Sequence, residues 1–238
     1  MKDKVCVVTG SSRGLGEGIA VAFAEAGAKA VTVTYASNQA GAESTAADVE
    51  KAGAKAIVQT LEVTDRSSIQ ACYAATVDAF GTIDVLVNNA GINKQGFMPN
   101  VTEADWDEIM DVNLKGPFLC SQEVFPIMEK QQSGRIINIA SVSGLYGGPK
   151  TIHYAVSKAG LITMTQVFAL YGAGWAVSAT MSGQKWQWWL AIGGWVGAPA
   201  IASLIGTPVL WLGYAAGLVL LAMIPGLILV RQEPAEVI

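Results

Sequence analysis

Short apolar runs and amphipathic stretches take turns along the first part of the chain, and then the alternation stops. Runs rich in Val and Ile occupy 4–8, 30–35, 56–61, 85–87 and 135–140. They are near-continuously apolar, the pattern of strands buried on both faces of a parallel sheet. Between them, 14–26, 40–52, 67–80 and 103 to about 130 place apolar residues at helical spacing. Gly27, Gly53 and Gly81 stand just past the first three, where a left-handed stop is expected. Thr102 followed by Asp105 reads as a capping box opening the fourth. Strands separated by helices imply right-handed βαβ units, and hence a Rossmann-like, doubly wound α/β fold.

Beyond 166 the pattern is different. Two apolar runs, 188–205 and 208–230, are 18 and 23 residues long and are separated by Gly206-Thr207. About 20 apolar residues cross the bilayer core as a helix. Gly193, Gly194, Pro199, Gly213, Gly217 and Pro225 lie inside these runs, and membrane helices tolerate such residues better than soluble ones. Trp186, Trp188 and Trp189 beside Lys185 have the makeup of an interfacial belt. The shorter stretch 167–181 is either a third span or a helix lying on the protein. With two spans, Lys185 and Arg231 both fall on the cytoplasmic side, as the positive-inside rule asks; with three, both fall outside. The expected organisation is an incomplete nucleotide-binding domain over 1–166 and a helical membrane hairpin within 167–238.

Composition sharpens this division. The chain averages 52% hydrophobic and 14% charged residues over 238 positions, but 1–166 hold 30 of the 34 charged side chains. Those are 17 acids and 13 bases with no basic stripe, which argues against nucleic acid as a partner. Cys6, Cys72 and Cys120 are far apart and form no metal-type cluster, as expected of reduced, half-buried thiols. The first residues lead straight into a short strand without the apolar core of a signal peptide, so the N-terminal part is expected in the cytoplasm.

The candidate chemistry begins at Thr9-Gly-Ser-Ser-Arg-Gly-Leu-Gly16, between the first strand and the first helix. Small residues there let the backbone approach a pyrophosphate whose charge the helix N-terminus stabilises. Asn88-Asn-Ala-Gly91 follows the fourth strand, Asn113 lies in the fourth helix, and Ser141 ends the fifth strand. Tyr154 follows Ser141 by 13 residues, and Lys158 stands one helical turn after Tyr154. A free tyrosine, with a pKa of about 10, is a poor acid–base at neutral pH unless a nearby positive charge favours its phenolate. Lys158 on the same helix face can supply that charge.

Taken together, these five elements resemble the short-chain dehydrogenase/reductase family over residues 1–166. The loops are similar to those of 3-oxoacyl-acyl carrier protein reductases and of sugar or polyol dehydrogenases. The resemblance implies hydride transfer between an alcohol and a ketone, with a small carbonyl or alcohol molecule as substrate. It implies Asn113, Ser141, Tyr154 and Lys158 as the catalytic group. Ser141 would donate to the substrate oxygen, Asn113 would hold a water of the proton relay, and Lys158 would also bind the nicotinamide ribose. The cofactor-binding set would be Gly10, Ser12, Arg13, Gly14, Leu15, Gly16, Tyr35, Ser37, Glu62, Val63, Asn89, Ala90 and Gly91, with Tyr154 and Lys158. NAD selection requires an acid at the end of the second strand. Tyr35-Ala-Ser-Asn38 has none, and Arg13 can meet a 2′-phosphate, so NADP is favoured over NAD. Glu62-Val63 stands where the family usually has Asp-Val beside the adenine.

Other candidates carry less. His153 is the single histidine, which argues against a His triad or His metal site; it is expected at the surface or lining the substrate mouth. Trp106 reads as packing, and Ser143 competes with Ser141 for the substrate. After Thr165 the family's sixth strand, Pro-Gly turn, substrate lid and seventh strand are not readable. A membrane-tethered reductase, a weak or inactive nucleotide-binding domain on an anchor, and a reductase sequence joined near 165 to an unrelated membrane protein all remain open. Nothing in the sequence specifies an oligomeric state.

Overall fold

The computed structural model describes the backbone of residues 1–181 and the side-chain surroundings of residues 1–168. The chain divides into two units, Met1–Thr165 and Gln166–Ile238. The expected spans 188–205 and 208–230 lie outside the described residues.

The first unit is built on five parallel strands: β1 (Val5–Val8), β2 (Ala30–Tyr35), β3 (Lys55–Thr60), β4 (Val85–Asn88) and β5 (Arg135–Asn138), in the order β3-β2-β1-β4-β5. This is the Rossmann-like parallel α/β sheet. The chain winds outward from β1 to β3, then returns to start β4 on the other side of β1. That reversal between β1 and β4 is where open α/β sheets place their ligands, beyond the carboxyl ends of the strands.

Strand pleating sorts the core into two layers. On β1, Cys6 and Val8 face one side and pack with Val31 and Val33 against Ala20, Ala24, Ala42 and Val49. These last four belong to α1 (Gly14–Glu25) and α2 (Gln39–Lys51). Val7 faces the other way and joins Leu86, Ile69, Cys72, Tyr73, Leu119, Cys120 and Val124 under α3 (Arg66–Phe80) and α5 (Gly116–Lys130). Fully burying one such aliphatic side chain contributes roughly 1.5–3 kcal/mol. Because both faces of β1 are covered, its residues are all apolar and all buried. Gly81 ends α3 in a left-handed conformation at φ 88°, its N–H donating to the Val77 carbonyl.

The stretch expected as one helix from 103 to about 130 is interrupted. The helix α4 (Glu103–Met110) passes into a π-helical turn, Asp111–Lys115, before α5 begins. Pro117 lies at the break: it has no N–H to offer the Asn113 carbonyl four residues back, so the α ladder loses a bond there. Thr102 caps α4 as expected, accepting from the Asp105 N–H at 3.1 Å while its hydroxyl donates to the Asp105 carboxylate at 2.6 Å. A four-residue helix, α6 (Ser143–Tyr146), follows β5, and α7 runs from Ile152 to Met181. The stretch 167–181 is thus the continuation of α7. Among the described residues, no helix is long and apolar enough to cross a membrane.

Candidate active site

The turn after β1 is fastened to both neighbouring strands. The Thr9 hydroxyl donates to the Val87 carbonyl at 3.2 Å and accepts from the Asn89 and Ala90 N–H groups, each at 2.9 Å. In return the Asn89 amide donates to the Thr9 and Gly10 carbonyls at 2.9 and 3.1 Å. On the β2 side, the Thr34 hydroxyl accepts from the Gly10 N–H at 3.0 Å, and Ser11 accepts from the Thr34 N–H at 2.9 Å. The segments 9–11 and 89–90 therefore form one rigid floor across the switch point.

Gly16 shows why no larger residue serves at the head of α1. A Cβ there would stand 2.5 Å from both the Gly10 carbonyl oxygen and the Asn89 amide nitrogen. Arg13 caps α1 from an extended conformation, and Arg13, Gly14 and Leu15 all face solvent. A helix N-terminus above a floor of glycine and short polar residues suits a pyrophosphate, both sterically and electrostatically. Tyr35 is half-buried at the end of β2 and Ser37 is exposed, while Asn38 caps α2 by accepting from the Gly41 N–H at 3.2 Å. No acid lies between Tyr35 and the start of α2 at Gln39. The Glu62 carboxylate accepts from both the N–H and the hydroxyl of Thr64, at 3.2 and 3.0 Å. Val63 is buried in the core, and a Cβ on Gly116 would come within 2.8 Å of it, so its side chain packs against the start of α5.

The remaining candidates gather at the carboxyl ends of β4 and β5. Lys158 is only 4% exposed, and its ammonium donates to the Ile139 carbonyl at 2.7 Å. It lies 5.8 Å from the centre of the Tyr154 ring and 3.6 Å from the place a Cβ on Gly91 would take. Burial pushes the Lys158 ammonium below its ordinary pKa of 10.5. Of its three N–H donors, one is committed to Ile139, the single hydrogen bond its ammonium makes among the described residues. The Ser141 oxygen accepts from the Ser143 N–H at 3.2 Å, which fixes the oxygen and leaves its own proton free to donate. Ser143, the competing hydroxyl, sits in α6 with its N–H serving Ser141.

Asn113 is fully buried in the π turn. Its oxygen accepts from the Ile92 N–H and its nitrogen donates to the Ile92 carbonyl, both at 2.8 Å, while a second N–H goes to the Ser157 hydroxyl at 3.3 Å. The amide protons are therefore both engaged by protein. The amide holds the loop after β4 against α7. His153 is likewise not at the surface. It is 1% exposed, and its Nδ1 accepts from the Tyr154 N–H at 2.9 Å. Trp106 is half-buried on α4. Cys6, Cys72 and Cys120 are free and buried, and burial pushes each thiol up to about 12, far from nucleophilic reactivity.

The sequence profile of the short chain dehydrogenases matches residues 4–183, three quarters of the chain. The chain belongs to the short-chain dehydrogenase family. It is 40% identical over 174 residues to the 3-oxoacyl-[acyl-carrier-protein] reductase of Thermotoga maritima, covering 73% of this chain and 70% of that protein. It is equally 40% identical over 182 residues to the 3-oxoacyl-[acyl-carrier-protein] reductase of a Synechocystis strain, covering 76% and 73% of the two chains. Among solved structures, one from Sinorhizobium meliloti 1021 assigned to the short-chain alcohol dehydrogenases superposes with a TM-score of 0.69 at 38% identity, covering 73% of this chain and 68% of that one. This short-chain dehydrogenase is accordingly an oxidoreductase of a family that uses NAD(P). The match runs past 166, to residue 183.

Three participants in this short-chain dehydrogenase's site escaped the reading of the sequence: Ile92, Ile139 and Ser157. The first two act through their main chains, which side-chain identity does not reveal. Ser157 stands within Tyr154-Ala-Val-Ser-Lys158, and its spacing from Tyr154 was a usable signal.

Proposed function

We propose that this protein is an NADP(H)-dependent oxidoreductase that interconverts an alcohol and a ketone by hydride transfer. The observation that carries the reading is Lys158: a buried ammonium with a single protein hydrogen bond, beside the Tyr154 ring, at the end of the sheet that also bears the Gly-rich turn. The dinucleotide, when bound, supplies or accepts the hydride. Gly10, Ser12, Arg13, Gly14, Leu15 and Gly16 hold its phosphates at the α1 N-terminus, and Asn89, Ala90 and Gly91 form the floor toward the nicotinamide end. Tyr35, Ser37, Glu62 and the main chain at Val63 border the adenosine part. The Ser141 hydroxyl, its oxygen pinned by Ser143, donates to the substrate oxygen where negative charge develops. Tyr154 delivers or takes the proton on that oxygen, a step for which a positioned side chain contributes about 10²–10⁴-fold. Lys158 places its ammonium beside the Tyr154 ring and offers its remaining donors to the cofactor ribose. Asn113 acts as a positioning residue through Ile92 and Ser157.

The ketone side of the reaction takes support from the 3-oxoacyl reductases among the relatives. NADP rather than NAD is supported by the acid-free stretch Tyr35–Asn38 and by solvent-facing Arg13. The runs 188–205 and 208–230 have the composition of a membrane tether, which alkaline carbonate extraction tests: release of the protein into the soluble fraction rejects it.

The central experiment titrates the purified intact chain with NADPH and with NADH while following cofactor fluorescence. It then assays turnover of acetoacetyl-CoA and of a ketose. NADPH is expected to bind at least about tenfold tighter, a difference of about 1.4 kcal/mol. NADH binding as tightly refutes the cofactor assignment. Binding without any turnover points instead to an inactive nucleotide-binding domain, and no binding at millimolar cofactor removes both readings.

A further inference from the structure

Between Tyr154 and Lys158 on α7 stands a third polar side chain, Ser157, to which the mechanism above gives no role of its own. It is completely buried. A buried helical serine that bonds back to a carbonyl of its own helix is ordinary, and Ser157 does this, donating to the Tyr154 carbonyl at 2.8 Å. What is not ordinary is its second bond, accepted from the Asn113 amide at 3.3 Å across the gap to the π turn. Among the described residues it is the one side-chain hydrogen bond between α7 and that turn.

The surrounding packing shows what this bond controls. Gly160, one turn further along the same helix face, lets α7 approach the π turn so closely that a Cβ there would stand 2.9 Å from a methyl of Leu114. The Ser157–Asn113 bond adds a polar tie on this face and, together with the Lys158–Ile139 and Asn138–Thr165 bonds on the β5 side, fixes how α7 is turned about its axis. The same Asn113 amide clamps the Ile92 main chain in both directions, and Ile92 directly follows Gly91, beside which the Lys158 ammonium lies. Lys158, one residue after Ser157, is anchored on the other side by the Ile139 carbonyl. The turn carrying Tyr154 and Lys158 is thus held at two points, the end of β5 and the π turn.

We infer that Ser157 is a positioning residue that locks the rotation of the Tyr154–Lys158 turn against the Asn113 π turn. The inference rests on the proposed reductase reading. Its consequence is selective: losing the bond displaces the Tyr154 hydroxyl relative to the substrate oxygen but leaves the Gly-rich cradle across the sheet untouched. Displacements on the ångström scale cost catalysis up to about a hundredfold.

The test compares the intact wild-type chain with Ser157→Ala, Ser157→Thr, Asn113→Ala and the double variant. Each is measured for NADPH affinity by fluorescence, for kcat and KM with acetoacetyl-CoA, and for Tm. Ser157→Ala is expected to lower kcat by about tenfold to a hundredfold, with substrate KM within about twofold and a loss of NADPH affinity well below the loss in kcat, because the phosphate cradle is unchanged. Ser157→Thr, which keeps the hydroxyl, should recover most of the rate. In the double variant, Ser157→Ala should add little to the loss from Asn113→Ala, because both remove the same bond. Wild-type kcat in Ser157→Ala overturns the inference, and so does a loss shared equally by kcat, cofactor affinity and Tm. Fully multiplicative effects in the double variant overturn it independently, even if Ser157→Thr does not fold. A wild-type chain that binds NADPH without turnover removes the reductase reading itself and this inference with it, and the wild-type measurement alone distinguishes that case.

Discussion

A positive charge at Lys158 is met by one main-chain carbonyl and very little water. That arrangement suits chemistry better than stability. Burial lowers the affinity of this ammonium for its proton relative to the unfolded chain. Between the folded value and the ordinary 10.5 the unfolded state therefore binds more protons, and the cofactor-free protein gains stability as pH rises through that window. Replacing the charge tests the trade. Lys158→Met should abolish turnover while raising the Tm of the cofactor-free protein by about 2–4 °C, equivalent to about 1 kcal/mol. A lower Tm, measured by calorimetry at neutral pH, would show that the bond to Ile139 outweighs the cost of burying the charge. At Gly16 the constraint is steric. Gly16→Ala brings a methyl against the Gly10 carbonyl and the Asn89 amide, and the displaced turn should weaken NADPH binding by about tenfold or more and cost about 1–3 kcal/mol in stability. Unchanged affinity in the same titration would mean that the turn yields without affecting the phosphate cradle.

Elements differ in how far their sequences announce them. The five strands were legible because each is a short run bounded by helical patterns; burial on both sheet faces keeps β1, β2 and β4 free of charge, while the edge strands β3 and β5 stay partly exposed. Helix stops at Gly27, Gly53 and Gly81 were legible for a local reason, the left-handed backbone all three adopt. The π turn Asp111–Lys115 was not, because one extra residue per turn barely disturbs a helical hydrophobic pattern; Pro117 was the available warning. Asn113 was recognised as a site residue, but its clamp on Ile92, 21 residues away, depends on tertiary contact that no local pattern records. His153 was misplaced for the same reason: its burial follows from how the start of α7 packs, not from its neighbours in sequence. The capping box of α4 was read correctly and makes its own prediction. Lys94, followed by the Thr102 hydroxyl, holds the Asp105 carboxyl from 3.8 down to about 2. Stability from this group is complete above the ordinary carboxylate range and is lost as pH falls through that interval. Asp105→Asn should flatten the acid-side decline in Tm between pH 4 and 2; an unchanged decline would assign it to other carboxylates.

For the whole molecule, the strand order puts the Gly-rich turn, the Asn89–Gly91 floor and the Tyr154–Lys158 turn at the same end of one sheet, around the switch between β1 and β4. Cofactor binding should therefore stabilise the unit Met1–Thr165 as a whole. At NADPH about a hundredfold above its Kd the gain is about 2.7 kcal/mol, visible as a Tm rise of several degrees that grows with cofactor concentration. A Tm independent of NADPH would show that the native fold does not hold the nucleotide. Under the proposed reading, Tyr154 moves the proton in a site that binds cofactor without it. The most direct measurement compares the intact chain with Tyr154→Phe, following NADPH binding by fluorescence and NADPH oxidation with acetoacetyl-CoA in the same preparation. Turnover is expected in the wild type, none detectable in Tyr154→Phe, and NADPH affinities within about twofold of each other. Retained turnover in Tyr154→Phe would contradict that reading.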